Sequence, residues 1–135
     1  MLKPNGKMVV RLMSSVGEKD TIVRYPDLIA SVAAAGNDPI ASSANLAELR
    51  ACISSFGFRS SSRLQPDELR RVTVPTLVIW GDHDPVGAVE IAHETARLIP
   101  EAKLELLPAG HVPYLGNPER VSELLSGFVR SAGDG

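Results

Sequence analysis

The strongest constraint on the fold lies between residues 74 and 128. Thr76-Leu77-Val78-Ile79-Trp80 is a short, nearly all-apolar run bounded by Pro75 and Gly81. A run of that kind predicts a strand buried on both faces, as in a parallel sheet covered by helices. A helical pattern follows from Ala88 to Ile99, with Ala88, Ile91, Ala92, Thr95 and Leu98 on its inward face and Pro100 as its stop. Lys103 to Leu107 reads as a second strand. Asn117 can cap a last helix with Pro118 at its first position, and Val121, Leu124, Leu125 and Phe128 form its apolar stripe. The order strand, helix, strand, helix predicts an α/β fold with parallel strands and a right-handed crossover.

Ahead of Arg63 the pattern changes to short helical stretches separated by Gly, Pro, Asn and Ser. Pro26 to Ala35 puts Leu28, Ile29 and Val32 on one face and stops at Gly36-Asn37. A second helix is expected to start at Asn45, with Asn45 and Glu48 as a capping box and Leu46, Leu49, Ile53 and Phe56 as its stripe. Ser60-Ser61-Ser62 reads as loop, and Pro66 suits the first turn of a short helix through Arg71. Lys7 to Met13 fits a strand or a short helix equally well, because a brief apolar run has no decisive period. The expected division is therefore a helical region, residues 1–63, ahead of a β-α-β-α region, residues 64–135.

Composition narrows the function classes. At 135 residues and 44% hydrophobic content a single core is the default. Fourteen basic residues face sixteen acidic ones with no basic stripe, so nucleic acid is not an expected partner. Apolar stretches such as Val74–Trp80 fall far short of the roughly 20 residues of a membrane span, and no basic segment leads into an apolar one at the N-terminus. No membrane is expected, and the reading is cytoplasmic. Cys52 is the sole cysteine, cannot form an internal disulfide, and reads as a buried structural thiol beside apolar helix positions.

Two loops follow the carboxyl ends of the two expected strands, Gly81-Asp82-His83-Asp84-Pro85 and Pro108-Ala109-Gly110-His111-Val112-Pro113. In an open parallel sheet that edge binds ligands. A carboxylate after one strand and an imidazole after the next can meet above the sheet, the arrangement that holds a histidine in one tautomer and stabilises its protonated form. An Asp-rich turn on its own needs no function, since Asp favours turns. Its pairing with Gly110-His111 is what points to chemistry. Asp82 then reads as a turn residue, His83 as loop surface, His93 as an unmarked helix position and Trp80 as packing. Asp82, His83, Asp84 and His111 have spacing that a metal could use, but no second ligand cluster supports that reading.

Val74-Pro75-Thr76-Leu77-Val78-Ile79-Trp80-Gly81-Asp82-His83-Asp84-Pro85, followed by Ala109-Gly110-His111-Val112-Pro113-Tyr114 and Asn117-Pro118-Glu119-Arg120-Val121, resembles the closing segments of the α/β-hydrolase family. The resemblance implies that Asp84 is the triad acid and His111 the general base. Since their loops leave adjacent parallel strands at the same sheet edge, the two are expected within hydrogen-bond reach, at about 2.6–3.2 Å between heavy atoms or somewhat looser without ligand. The resemblance also implies that Gly17 to Arg63 forms a helical cap, that no cofactor is needed, and that the full-length parent acts on a small-molecule substrate. Such a triad needs a nucleophile on a strand-to-helix elbow, usually Gly-x-Ser-x-Gly. No such pentapeptide occurs. Met13-Ser14-Ser15-Val16-Gly17 comes nearest, but Met13 is too bulky for the tight turn and no helix-forming stretch follows, so Ser15 is a poor nucleophile. An aspartate nucleophile is equally unplaceable. The expectation is the C-terminal part of a hydrolase, with acid and base but no nucleophile, inactive alone, and open to self-association or to pairing with a missing N-terminal half. The competing reading is a non-catalytic binding or interaction module derived from the same fold.

Overall fold

β3 (Leu77–Gly81) and β4 (Lys103–Leu107) form a parallel pair in the register Leu77 to Lys103 through Gly81 to Leu107. They are joined by α6 (Val89–Leu98), as the alternation of periods predicts. The computed structural model describes residues 5–54, 57–58 and 63–133. Ahead of β3 lie α1 (Gly6–Ser15), α2 (Lys19–Ile22), α3 (Pro26–Asn37), α4 (Pro39–Cys52), the two-residue strands β1 (Ile53–Ser54) and β2 (Gly57–Phe58), and α5 (Pro66–Leu69). After β4 come α7 (Pro113–Gly116) and α8 (Pro118–Gly133).

The core is organised by the strand pair. Leu107, Ala109 and Val121 form a buried cluster to which Ile79 and Leu124 add, so α8 is tied to the sheet through the first turns of its stripe. On α6, Ala92 and Leu98 are buried, and Ile99 follows them inward. Glu101, at φ 60°, makes the turn that delivers the chain into β4.

The structure corrects several expectations. Ile91 and Leu125 are 52% and 48% exposed, and Ala88 is exposed too, so the inward faces of both helices are narrower than their patterns suggest. Residues Leu77 to Trp80 are half-buried, not covered on both faces, because among the described residues the sheet has only these two strands. The second helix starts at Pro39, not Asn45. The Asp38 carboxylate accepts the N–H groups of Ile40 and Ala41 at 2.9 and 2.8 Å, which gives a stronger cap than Asn45 with Pro39 in the first turn. Asn45 and Glu48 are consequently mid-helix and exposed. That helix ends at the half-buried Cys52, and Ile53 pairs with Phe58 in an antiparallel β1–β2 ladder instead of extending the stripe. Phe56 and Ser60-Ser61-Ser62 lie outside the described residues. Lys7 to Met13 is helical, capped by the Asn5 side chain, which accepts the Met8 N–H at 3.1 Å. Among the described residues no helix is long and apolar enough to cross a membrane.

Candidate active site

The loops after β3 and β4 are stitched together by their backbones. Asp82 N–H donates to the Leu107 carbonyl at 2.9 Å and His83 N–H to that of Ala109 at 3.1 Å. Gly81 permits this approach, since a Cβ there would lie 1.9 Å from the Gly110 carbonyl oxygen. Any side chain at position 81 would force the two loops apart.

Asp84 and His111 meet across that junction. His111 Nδ1 lies 2.8 Å from Asp84 Oδ2, inside the hydrogen-bond range expected for the pair. Asp84 Oδ1 accepts the N–H groups of Val86 and Gly87 at 2.7 and 3.1 Å. Both carboxylate oxygens are thus used, and the side chain is only 4% exposed, whereas that of His111 is 46% exposed. A carboxylate can only accept, so in the neutral imidazole Nδ1 carries the proton and Nε2 keeps its lone pair. Burial pushes the Asp84 carboxyl up, but the hydrogen bond from His111, those from Val86 and Gly87, and the charge attraction of His111 outweigh it and hold it below its ordinary value.

Trp80 does more here than fill space. Its Nε1–H donates to the Gly87 carbonyl at 3.0 Å, and a Cβ on Gly87 would lie 2.6 Å from Trp80 Cζ2. The indole therefore props the same loop whose amides hold Asp84. Asp82 is engaged by its neighbour His83, whose side chain is 78% exposed, so it does not compete for His111. Among the described residues no three His, Cys, Asp or Glu side chains are grouped as metal ligands. Ser15 ends α1, and its hydroxyl donates back to the Leu12 carbonyl at 2.7 Å, a helix-end setting rather than an elbow. The sequence reading missed Glu18, buried beside the His111 loop, because an isolated Glu carries no sign that it folds inward.

Because the folded Asp84 carboxyl is held below its ordinary value, the stability it contributes is fully present above the unfolded-state value and lost as pH falls through the folded one. Acid titration should show a destabilisation that sets in below the ordinary aspartate value of 3.8, and Asp84→Asn should flatten that part of the curve. An Asp84→Asn protein with the same acid profile as the parent would contradict the linkage.

No family model matches the chain. Over 65 residues it is 31% identical to 3-oxoadipate enol-lactonase 1 of Acinetobacter baylyi, covering 48% of this chain and 24% of that protein. Over 75 residues it is 37% identical to a pimeloyl-(acyl-carrier protein) methyl ester esterase of Xanthomonas oryzae pv. oryzae, covering 52% of this chain and 30% of that one. The crystal structure of a serine hydrolase involved in carbazole degradation superposes with a TM-score of 0.80 at 24% identity, covering 93% of this chain and 47% of the other. The chain thus spans about half of that hydrolase's length, and its alignments with the curated relatives cover about a third of theirs or less. With cap-like helices leading into two parallel strands and an acid–histidine pair at their carboxyl ends, the chain has the architecture of the C-terminal part of an α/β-hydrolase fold.

Proposed function

We propose that this chain supplies the acid and base of a nucleophile–His–Asp site for hydrolysis of a carboxylic ester or lactone, and that the nucleophile and oxyanion hole come from polypeptide outside it. The observation that carries this reading is the His111 to Asp84 hydrogen bond at 2.8 Å above the carboxyl ends of parallel strands. The lactonase and the methyl ester esterase among the relatives support the bond type, since a lactone is a cyclic ester. In this reading His111 Nε2 takes the proton of the attacking hydroxyl as its oxygen bonds to the carbonyl carbon, and gives that proton to the alcohol oxygen as the ester C–O bond breaks; a water deprotonated by the same Nε2 then attacks the acyl group, releasing the acid and returning the proton to the nucleophile oxygen. Asp84 orients the ring and stabilises the imidazolium between those steps. Residues 1–63 act as a cap over a small-molecule substrate and residues 64–135 close the core. No cofactor enters, and the setting is cytoplasmic.

Without an elbow serine or oxyanion-hole amides, the chain alone should hydrolyse p-nitrophenyl acetate no faster than free imidazole at the same histidine concentration. A burst phase with an acylated serine would place the nucleophile within this chain, with Ser15 the first to test, and would overturn the proposed division of labour.

A further inference from the structure

The turn Val16-Gly17-Glu18, between α1 and α2, is wrapped around the backbone of the histidine loop. The Val16 carbonyl accepts the His111 N–H at 2.9 Å, and Glu18 Oε1 accepts the Val112 N–H at 3.1 Å. The two consecutive amides of the loop are thus held from one short segment lying 94 residues away along the chain. Contact is tight on both sides. A Cβ on Gly110 would sit 2.6 Å from the Val16 carbonyl oxygen, and one on Gly17 would sit 3.1 Å from Gly110 Cα. Gly17 has φ 81°, a left-handed conformation that side chains rarely adopt, and it is what lets the turn fold back onto the loop.

Glu18 is 1% exposed, the most deeply buried charged residue among the described residues. Burying a carboxylate is unfavourable unless hydrogen bonds hold it, so a Glu in this place calls for a specific partner. Its backbone is fixed at both ends: Glu18 N–H donates to the Met13 carbonyl at 2.7 Å, and the Glu18 carbonyl accepts the Ile22 N–H at 2.9 Å. With its backbone held at both ends, Glu18 presents the Val112 amide with an acceptor whose place is set by the turn between α1 and α2. The His111 ring itself is nearly half exposed and has Asp84 as its side-chain partner, so its direction depends on how firmly residues 111 and 112 are held.

We infer that Glu18 is a positioning residue for the general base: its carboxylate pins the Val112 amide and thereby keeps the His111 ring in the orientation that donates Nδ1–H to Asp84. This inference rests on the reading of Asp84 and His111 as an acid–base pair. It also couples the helical region to the chemistry, because a shift of α1 against α2 would be felt directly at His111.

The test reads the His111 tautomer in the full chain labelled with 15N-histidine, by solid-state NMR of sedimented protein, so that self-association does not interfere. His111→Ala identifies the resonance among those of the three histidines. The parent should show the Nδ1–H form at His111. Glu18→Gln keeps an acceptor oxygen and should retain that form, whereas Glu18→Ala should lose the preference while the β4 backbone shifts stay unchanged. Retention of the Nδ1–H form in Glu18→Ala overturns the inference, as does its equal loss in Glu18→Gln. If Glu18→Ala disturbs β4 as well, Glu18→Asp decides: it keeps the charge but falls a methylene short of Val112, so it should lose the Nδ1–H form, and keeping it refutes the role. Absence of that form in the parent would be a failure of the acid–base pair itself, recognisable as such because no Glu18 substitution is involved, and the positioning role would fall with it.

Discussion

Co-production of this chain with the N-terminal half of a related hydrolase, as a separate polypeptide, is expected to give esterase activity that neither part has alone, and His111→Ala is expected to remove it. The expected loss is large, on the order of 10⁴- to 10⁶-fold, because a triad whose base is missing retains only oxyanion-hole and binding effects. Asp84→Asn should cost on the order of 10⁴-fold, since an amide in place of the carboxylate favours the wrong histidine tautomer. The structural basis is already present. His111 Nδ1 lies 2.8 Å from Asp84, Asp84 is locked by the Val86 and Gly87 amides, and the His111 side chain remains 46% exposed. The N-terminal half would bring the strand edge, the elbow and the oxyanion hole together, so solubility and activity should rise jointly. Activity unaffected by His111→Ala would mean that the partner half brings its own base. Improved solubility without activity would favour an interaction module over a split catalytic site.

The sequence made the Asp84–His111 edge legible because its signals are local. Strand β3 announces itself as an apolar run between Pro75 and Gly81, and the two loops sit directly after the strands, so a parallel register alone brings Asp84 to His111. Less was visible where two local signals competed. Asn45 with Glu48 reads as a helix start, yet in the structure the Asp38 carboxylate caps two amides further upstream, and the helix begins at Pro39 instead. Lys7 to Met13 carries no decisive period, and only its docking, with Val9 buried, settles it as helix. The Glu18 contact was beyond reach for a different reason: its meaning comes from an amide 94 residues distant, and nothing near Glu18 marks it as buried. Ile91 and Leu125 show the converse error. Periodicity identifies which side of a helix seeks cover, but cover has to come from some other element, and at these positions half of the side chain stays wet.

That uncovered surface leads to the last expected result, that the isolated chain will not behave as a cooperative monomer. Val129, Leu64 and Ile40 are 68%, 69% and 80% exposed, adding to Ile91 and Leu125, and β3 is half-buried along its apolar run. Each strand of the parallel pair has hydrogen-bonding groups on an outer edge that no described strand takes up. A cleft of about 280 Å³ also opens between the start of the sheet and α8, lined in part by Leu77, Leu124 and Phe128. Ordering the backbone costs about 1–2 kcal/mol per residue, which apolar burial at about 25 cal/mol per Å² offsets only where side chains are enclosed. Among the described residues the enclosed hydrophobic set is Val9, Ile22, Ala92, Leu98, Ile99, Leu107, Ala109 and Val121, of which two are alanines. The favourable side is therefore thin, and the strand edges and apolar faces offer a ready way to gain more burial with a second copy. Sedimentation should show concentration-dependent assembly, and thermal melting followed by circular dichroism should be broad, with a midpoint that moves with protein concentration. A sharp transition from a monomer, independent of concentration, would mean that two parallel strands and their helices suffice for a stable fold, and would favour an independent binding module over half of a hydrolase.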